Sequence, residues 1–136
     1  MAAPAHELVG LAAARLRTYA PLTDLIGEGR VFLKPGEVNS PPYVVMGEAD
    51  VRRADGTELR SSTVGLVIHA FAETPNALQD VRAIAFLIGE ALHGYPLALP
   101  SNALVTLDHR GDRVFYDRDN ITGHAVIELR AVIETP

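Results

Sequence analysis

The clearest pattern of hydrophobic and polar positions lies between Val64 and Pro96. It begins with an apolar run from Val64 to Ala72 that is rich in β-branched and aromatic residues. Because both alternating sets of positions are apolar, we expect a central strand that is covered on both faces of the sheet. Beyond a short turn, apolar residues recur with helical spacing, which predicts a long helix from Pro75 to about His93.

Both ends of this helix carry boundary signals. Thr74 can cap the first turn, and Pro75 suits the first helical position, where its missing N–H costs nothing. Gly94 can take the left-handed conformation that ends a helix, and Pro96 prevents continuation. The chain is therefore expected to turn sharply at both ends of the helix.

One residue interrupts the amphipathic pattern of the helix. At about 100° per residue, Phe86 falls in the middle of the polar arc, near Arg82 and Glu90. It can be a single exposed apolar residue, which is common, or be covered by a loop. Because aromatic and arginine side chains are favoured interface anchors, Phe86, Arg82 and Glu90 are also candidate interface residues.

The rest of the chain predicts one more helix and several short strands. The most regular strand runs from His124 to Glu134, where every second residue is apolar, so that one face meets the core and the other meets water or a partner. In strand 103–108, the alternation places Leu104 and Thr106 on the same side. The remaining predicted elements are a helix at 5–19, a single helical turn at 23–27, strands at 30–33, 43–48 and 114–116, and a turn at 109–112.

Residues 49–63 form the most polar segment of the chain. The turn signal Asp55-Gly56 at its centre predicts a long hairpin arm. The arm carries three arginines: Arg52, Arg53 and Arg60. Such an arm is either a solvated, mobile tip or a contact segment that becomes ordered on assembly, and both interpretations stay open.

The order of these elements predicts an α+β fold. We expect a mostly antiparallel sheet, connected as a meander, with two helices packed on one face and the long hairpin arm projecting from it. The chain has 136 residues, which is the size of one ordinary domain with its own core. Residues 1–136 are therefore expected to form a single domain.

The composition narrows the classes of function. A net charge of −5, with 12 basic and 17 acidic residues, argues against a protein whose main task is to hold DNA, although a local arginine cluster can still contact a phosphate. The absence of cysteine excludes disulfides and thiol chemistry. No apolar run reaches the roughly 18 residues of a membrane helix, and the N-terminus lacks the pattern of a signal peptide. We therefore expect no membrane association and a cytoplasmic site of synthesis.

No pattern in the sequence predicts catalysis, a cofactor or a metal. The chain lacks the G-x-S-x-G, H-E-x-x-H and P-loop motifs, so no catalytic residue is assigned. His69 and His124 lie on predicted strands, where they can be neighbours with a structural role. Asp117 and Asp119 fit two positions of a calcium loop, but Ile121 stands where a polar ligand is required. The two aspartates are more simply turn formers.

Five phrases, taken together, point to a known family. They are T-D-L-I-G-E-G-R-V-F at 23–32, P-P-Y-V-V-M-G-E at 41–48, V-I-H-A-F-A-E-T at 67–74, A-L-H-G-Y-P-L at 91–97 and H-A-V-I-E-L-R-A-V-I-E at 124–134. In their order and spacing, over nearly its whole length, the chain resembles the DUF3168 family, the tail-completion proteins of siphovirus-like phages and prophages. The resemblance is nearest to those of gene transfer agents from alphaproteobacteria.

The resemblance implies a tail terminator. Such proteins cap the head-proximal end of the tail tube, usually as a ring of six, and present a docking surface to the stopper protein of the head. The implied partners are further copies of the chain, the major tail tube protein and the stopper. DNA would pass through the lumen without specific binding, to which a negative net charge is suited. The implied location is a virion or phage-like particle, assembled in the bacterial cytoplasm.

A ring also gives the unusual residues a role. Cyclic closure beyond a dimer requires two unlike surfaces that meet head to tail. Phe86 on the polar face of the helix is one candidate anchor, and the 49–63 arm is the other. Two alternatives stay open: another connector protein, such as a stopper or a minor tail subunit, and a small binding or regulatory domain unrelated to viruses.

Overall fold

The computed structural model describes residues 3–36, 40–56, 60–73 and 75–136. Within these ranges, three helices pack on one face of a five-stranded sheet. The predicted α+β class with a mostly antiparallel sheet is confirmed. The elements are α1 (Pro4–Arg17), α2 (Ala20–Ile26), β1 (Val31–Phe32), β2 (Tyr43–Arg53), β3 (Arg60–Ala72), α3 (Ala77–Leu92), β4 (Ala103–Tyr116) and β5 (Gly123–Thr135).

The strands are arranged in the order β1-β2-β3-β5-β4. β1 pairs with β2 in parallel, and the other neighbours are antiparallel. The sheet is not the simple meander that short spacings suggested. α3 carries the chain past the position next to β3, so that β4 becomes an edge strand and β5 returns between them.

The core lies between the helices and one face of the sheet. β5 confirms the predicted period of two, because its alternate residues from Ala125 to Ile133 are fully buried. Each buried Leu or Ile side chain contributes about 1.5–3 kcal/mol relative to leaving it exposed. The largest fully buried side chains come from all three helices and from β2, β3 and β5: Leu8, Leu16, Leu22, Val44, Val64, Leu66, Ile68, Ile84, Ile88, Leu92, Ile127 and Ile133.

The long helix is confirmed, with small shifts at its ends. α3 begins two residues after Pro75, and Asn76 at the N-cap position makes no side-chain capping hydrogen bond. The expected cap, Thr74, lies outside the described residues. At the other end Gly94 has a φ of 70°, and the N–H of Tyr95 donates to the carbonyl of Leu92 at 3.0 Å. Glycine ends the helix as the sequence predicts.

The N-terminal part contains one more helix than expected. The single turn predicted at 23–27 belongs to α2, which starts at Ala20 with Pro21 in its first turn. Pro21 therefore begins a helix as well as following one, which its fixed φ allows. The strand predicted at 30–33 is reduced to the two residues of β1, and Arg17 donates to the carbonyl of Val31 at 3.0 and 3.2 Å.

The turn predicted at 109–112 is wrong. β4 is a single strand of 14 residues, interrupted by two bulges at which Val105 and Arg110 have no directly paired partner in β5. A bulge adds one residue to a strand and shifts the alternation of its side chains. Leu104 and Leu107 therefore share the helix-covered face, and Thr106 lies on the opposite one.

The hairpin arm is part of the sheet. β2 continues to Arg53 and pairs with β3 as far as Ser62. β3 is in turn paired with β5 from Arg60 onward, opposite Thr135. The returning half of the arm is thus paired on both sides, whereas the β2 half is paired on one side only.

β3 is central in the sheet, but the described helices cover it on one side only. Its odd-numbered positions, from Gly65 to Phe71, are half-buried on the other side, which we call the open face. The prediction of a strand covered on both faces is therefore wrong for the described chain. Among the described helices, none combines the length and the hydrophobicity needed to cross a membrane.

Candidate interaction surfaces

The first surface is a cleft of about 430 Å³ between the outer side of α3 and the edge strand β4, which we call the α3–β4 cleft. Arg82, Phe86 and Glu90 line it together, because residues four apart lie on the same side of a helix. Phe86 is 63% exposed, more than any other large hydrophobic residue described. The other lining residues are Gly89, His93, His109 and Asp112.

Close contact between a helix and a strand forms the floor of this cleft. A Cβ atom at Gly89 would lie 3.0 Å from Nδ1 of His109, so glycine allows β4 to approach α3. The N–H of His109 donates to Nδ1 of His93 at 2.9 Å, and its Nε2 lies 3.2 Å from Oδ2 of Asp112. That last contact lacks hydrogen-bond geometry. Sequence reasoning missed His109 and Asp112 because it placed both in a turn.

The second surface is the outer edge of β2, which we call the arm edge. β1 pairs only with Val44 and Val45, so in the described chain the edge beyond Val45 has no strand partner. Val51 on this edge is 50% exposed, and Leu33, just after β1, is 46% exposed. The strand order puts the arm edge and the α3–β4 cleft at opposite edges of the sheet.

The three arginines of the arm do not act together. Arg52 lies 3.8 Å from Asp50, and Arg53 lies 3.5 Å from Asp55, and both arginine side chains are strongly exposed. Exposed pairs of this kind contribute at most about 1 kcal/mol. Arg60 instead donates to the carbonyl of Pro136 at the end of the chain. The structure therefore brings Arg52 and Arg53 to one place and leaves Arg60 apart.

The third surface is a groove of about 670 Å³ on the open face, which we call the arginine groove. The register aligns Asp50, Gly65 and Arg130 in one row across β2, β3 and β5. A Cβ atom at Gly65 would lie 2.4 Å from Oδ1 of Asp50, so the glycine leaves room for that carboxylate on the floor. The charged residues that line the groove are Asp50, Arg52, Arg53, Arg110, Glu128 and Arg130.

Next to this groove the open face carries a histidine–aromatic cluster. The predicted neighbourhood of His69 and His124 is confirmed, with Nδ1 of His69 2.8 Å from Nε2 of His124. Phe71 stacks on His124 at 4.4 Å between ring centres, and Tyr43 stacks on Phe71 at 4.9 Å. Burial lowers the pKa of His124, and the charge of His69 lowers it further. The facing nitrogens can hold one proton between them.

The acidic turn has a structural role. Oδ1 of Asp119 accepts the N–H groups of Ile121 and Thr122, each at 2.8 Å, and its Oδ2 accepts the Thr122 hydroxyl at 2.7 Å. These hydrogen bonds lower the pKa of Asp119. Across the described ranges, no group of three or more His, Cys, Asp or Glu residues has the arrangement of a metal site.

Comparison with solved structures finds the same fold in other proteins. One chain in the structure "Virion of native gene transfer agent (GTA) particle" has a TM-score of 0.88 and 24% sequence identity, over 98% of this chain and 99% of that one. The gp17 protein of bacteriophage SPP1 has a TM-score of 0.60 and 22% identity, over 93% of this chain and 88% of that one. These likenesses establish the fold.

Sequence comparison identifies the family. No curated protein matches the chain in sequence. The model of the family described as "Tail completion protein gp17" matches residues 13–134, which include every element from α2 to β4, the last turn of α1 and all but the last residue of β5. The chain therefore belongs to the tail completion protein gp17 family.

Proposed function

We propose that this tail-completion protein is a tail terminator, as its resemblance to the DUF3168 proteins of gene transfer agents implies. In this role it caps the head-proximal end of the tail tube as a ring, which in such terminators usually has six subunits. Its partners are neighbouring copies, the major tail tube protein and the head-side stopper. Its membership of the tail-completion family supports a structural role in the tail, without catalysis.

The observation that carries the proposal is the position of two unlike surfaces on opposite edges of the sheet. A head-to-tail ring requires each subunit to offer one surface to the next copy and a different one to the previous copy. The α3–β4 cleft and the arm edge meet this requirement, since β4 and β2 lie towards opposite ends of the strand order. Neither surface is covered by the described residues.

Each surface has an apolar anchor surrounded by charge. Phe86 projects at the α3–β4 cleft, and Val51 projects at the arm edge. The cleft contains Glu90, and the arm edge carries Arg53, so opposite charges can meet around the anchors. An apolar centre with a charged rim is the usual composition of a specific protein interface, in which the rim supplies orientation more than affinity.

The remaining parts of the proposal concern the particle. The ring sits in the virion or phage-like particle, after assembly in the bacterial cytoplasm, and DNA passes through its lumen. The net charge of −5 supports passage without tight retention, because a surface of the same sign as DNA repels it.

Negative-stain microscopy of the protein mixed with tubes of its cognate tail protein tests the terminator function. The expected result is a ring of extra density at one tube end, with tube growth arrested. Bare tubes, or tubes decorated along their sides, would overturn the proposal in favour of a stopper, a minor tail subunit or an unrelated binding domain.

Two variants test the head-to-tail contact separately. Phe86→Asp disables the α3–β4 cleft, and Val51→Asp disables the arm edge, each by placing a charge at an apolar anchor. Neither variant alone should form rings at tube ends, whereas an equal mixture should give pairs, because each variant keeps the surface that the other lacks. Native mass spectrometry at increasing concentration detects these pairs. Pairs formed by one variant alone would show that the contact is not head to tail between these surfaces.

A further inference from the structure

The arginine groove concentrates positive charge on an acidic protein. Four of the 12 basic residues of the chain line it, together with two of the 17 acidic ones. They come from three different strands, with Arg52 and Arg53 on β2, Arg110 on β4 and Arg130 on β5. The groove is therefore a local cationic site in a chain whose net charge is −5.

Two of these guanidinium groups are free to bind a ligand. In the described part of the chain, Arg110 and Arg130 make no hydrogen bond or ion pair with a protein group. Among the described residues, Arg52 is engaged only by an exposed contact of 3.8 Å to Asp50, which a more highly charged anion can replace. A guanidinium group presents several N–H donors in one plane, an arrangement that suits the oxygens of a phosphate.

The shape of the groove suits an extended ligand. Its floor is the backbone of β3 around Gly65, over which the Asp50 carboxylate lies. Arg52 and Arg110 stand on strands three positions apart, which corresponds to roughly 14 Å at the usual strand spacing. A ligand that reaches both must therefore carry negative charge repeated along its length.

We infer that the arginine groove binds the phosphate backbone of double-stranded DNA, weakly and without regard to sequence. The inference deepens the proposed function and rests on it, since it assigns the open face of the sheet to the path of the DNA. Duplex DNA carries one negative charge per about 1.7 Å of its axis, which is a higher density than an acidic peptide reaches. That density is needed here, because Asp50 and Glu128 offset part of the positive charge.

The surrounding acidic surface sets the strength of the contact. With a net negative chain, binding depends on the few arginines of the groove and is strongly weakened by salt. Such a site steadies DNA within a ring and still lets it slide, because phosphate contacts do not depend on base sequence.

Fluorescence anisotropy with a short labelled duplex of mixed sequence tests this inference, over a range of about 50 to about 200 mM salt. The wild-type chain should bind at the low end of this range. The double variant Arg110→Ala, Arg130→Ala should bind at least about tenfold more weakly, and the slope of log affinity against log salt should fall by about 2. Both side chains are exposed, so the variant should keep the fold.

The matched control is the double variant Lys34→Ala, Arg118→Ala, which removes the same charge from exposed positions outside the groove. It should bind DNA nearly as the wild type does. Equal losses in the two variants, or no binding by the wild type at low salt, would overturn the inference. Equal binding of polyglutamate and DNA would also overturn it, in favour of an acidic protein partner. The tube-capping assay on the same variants separates this outcome from the terminator function, which does not require the groove.

Discussion

The imidazole rings of His69 and His124 face each other across β3 and β5, and their nearest nitrogens are 2.8 Å apart. The pair lies among Phe71, Tyr43 and Phe115 on the face of the sheet that the described helices leave open. Two imidazoles at this distance form one hydrogen bond when one proton lies between them. Protonation of both rings puts two positive charges side by side.

We expect stability to fall in mild acid because of His124. Burial and the neighbouring His69 lower the pKa of His124 below its ordinary value of 6.5 in the folded chain. As the pH falls through 6.5 the unfolded chain takes up a proton that the folded chain resists, so stability decreases until the folded pKa is reached and is then level. Urea unfolding at a series of pH values measures this effect. His124→Gln should remove this part of the pH dependence, and an unchanged profile would contradict the assignment.

Phe86→Ala should leave the free energy of unfolding within about 0.5 kcal/mol of wild type, since the side chain is mostly exposed. Ring formation at tube ends should nevertheless be lost. Ile88→Ala, two residues further along α3, provides the contrast, because Ile88 is fully buried and its loss costs about 2–5 kcal/mol. Urea unfolding followed by microscopy checks both. A large destabilisation by Phe86→Ala would show that the side chain belongs to the core.

Gly123→Ala should destabilise the chain by about 1–3 kcal/mol through overpacking. A Cβ atom at Gly123 would lie 2.7 Å from the carbonyl oxygen of Ala77, where β5 starts beside the first turn of α3. Gly10→Ala is the matched control, because nothing lies within 4 Å of a Cβ atom there and alanine favours the helix by about 0.5–1 kcal/mol. The midpoint temperature of thermal unfolding should therefore fall for Gly123→Ala and rise for Gly10→Ala.

Glu7 should make stability depend on pH in the acid range. Burial raises the pKa of Glu7, but hydrogen bonds from the Asn102 side chain and the Ser101 N–H outweigh it, so the pKa is lowered from 4.5. The stability that these bonds provide is present above pH 4.5 and is lost as the pH falls through the lower folded pKa. Urea unfolding should show Glu7→Gln to be less stable than wild type at neutral pH, with the difference shrinking in acid.

The sequence predicted those elements whose pattern is local. β5 shows strict alternation, and the glycine at the end of α3 takes the positive φ that its position requires. The failures come from interactions at long range. His109 and Asp112 lie in a segment of turn-forming residues, yet pairing with β5 keeps them in a strand. Two bulges in that strand accommodate the extra residues. β3 is apolar at both alternating sets of positions. This pattern alone does not show whether each face of the strand is covered by helices or, as on the open face, carries a histidine–aromatic cluster.

The candidate surfaces were predicted in part. Helical spacing was enough to bring Arg82, Phe86 and Glu90 to one side of α3. The strand order, which no local pattern encodes, decided that the arm would lie on the opposite edge of the sheet. The arginine groove was beyond sequence reasoning, because Arg110 and Arg130 approach the arm only through the pairing of β5 between β3 and β4.

The two residues of β1 leave most of the outer edge of β2 unpaired in the described chain. Unpaired N–H and C=O groups of this kind can pair with any extended chain. Unassembled subunits are therefore at risk of aggregation. Charged side chains such as Asp50, Arg52 and Arg53 discourage indiscriminate addition along that edge. If the arm edge is a ring contact, as proposed, the solubility of the unassembled subunit and the selectivity of its assembly depend on the same few residues.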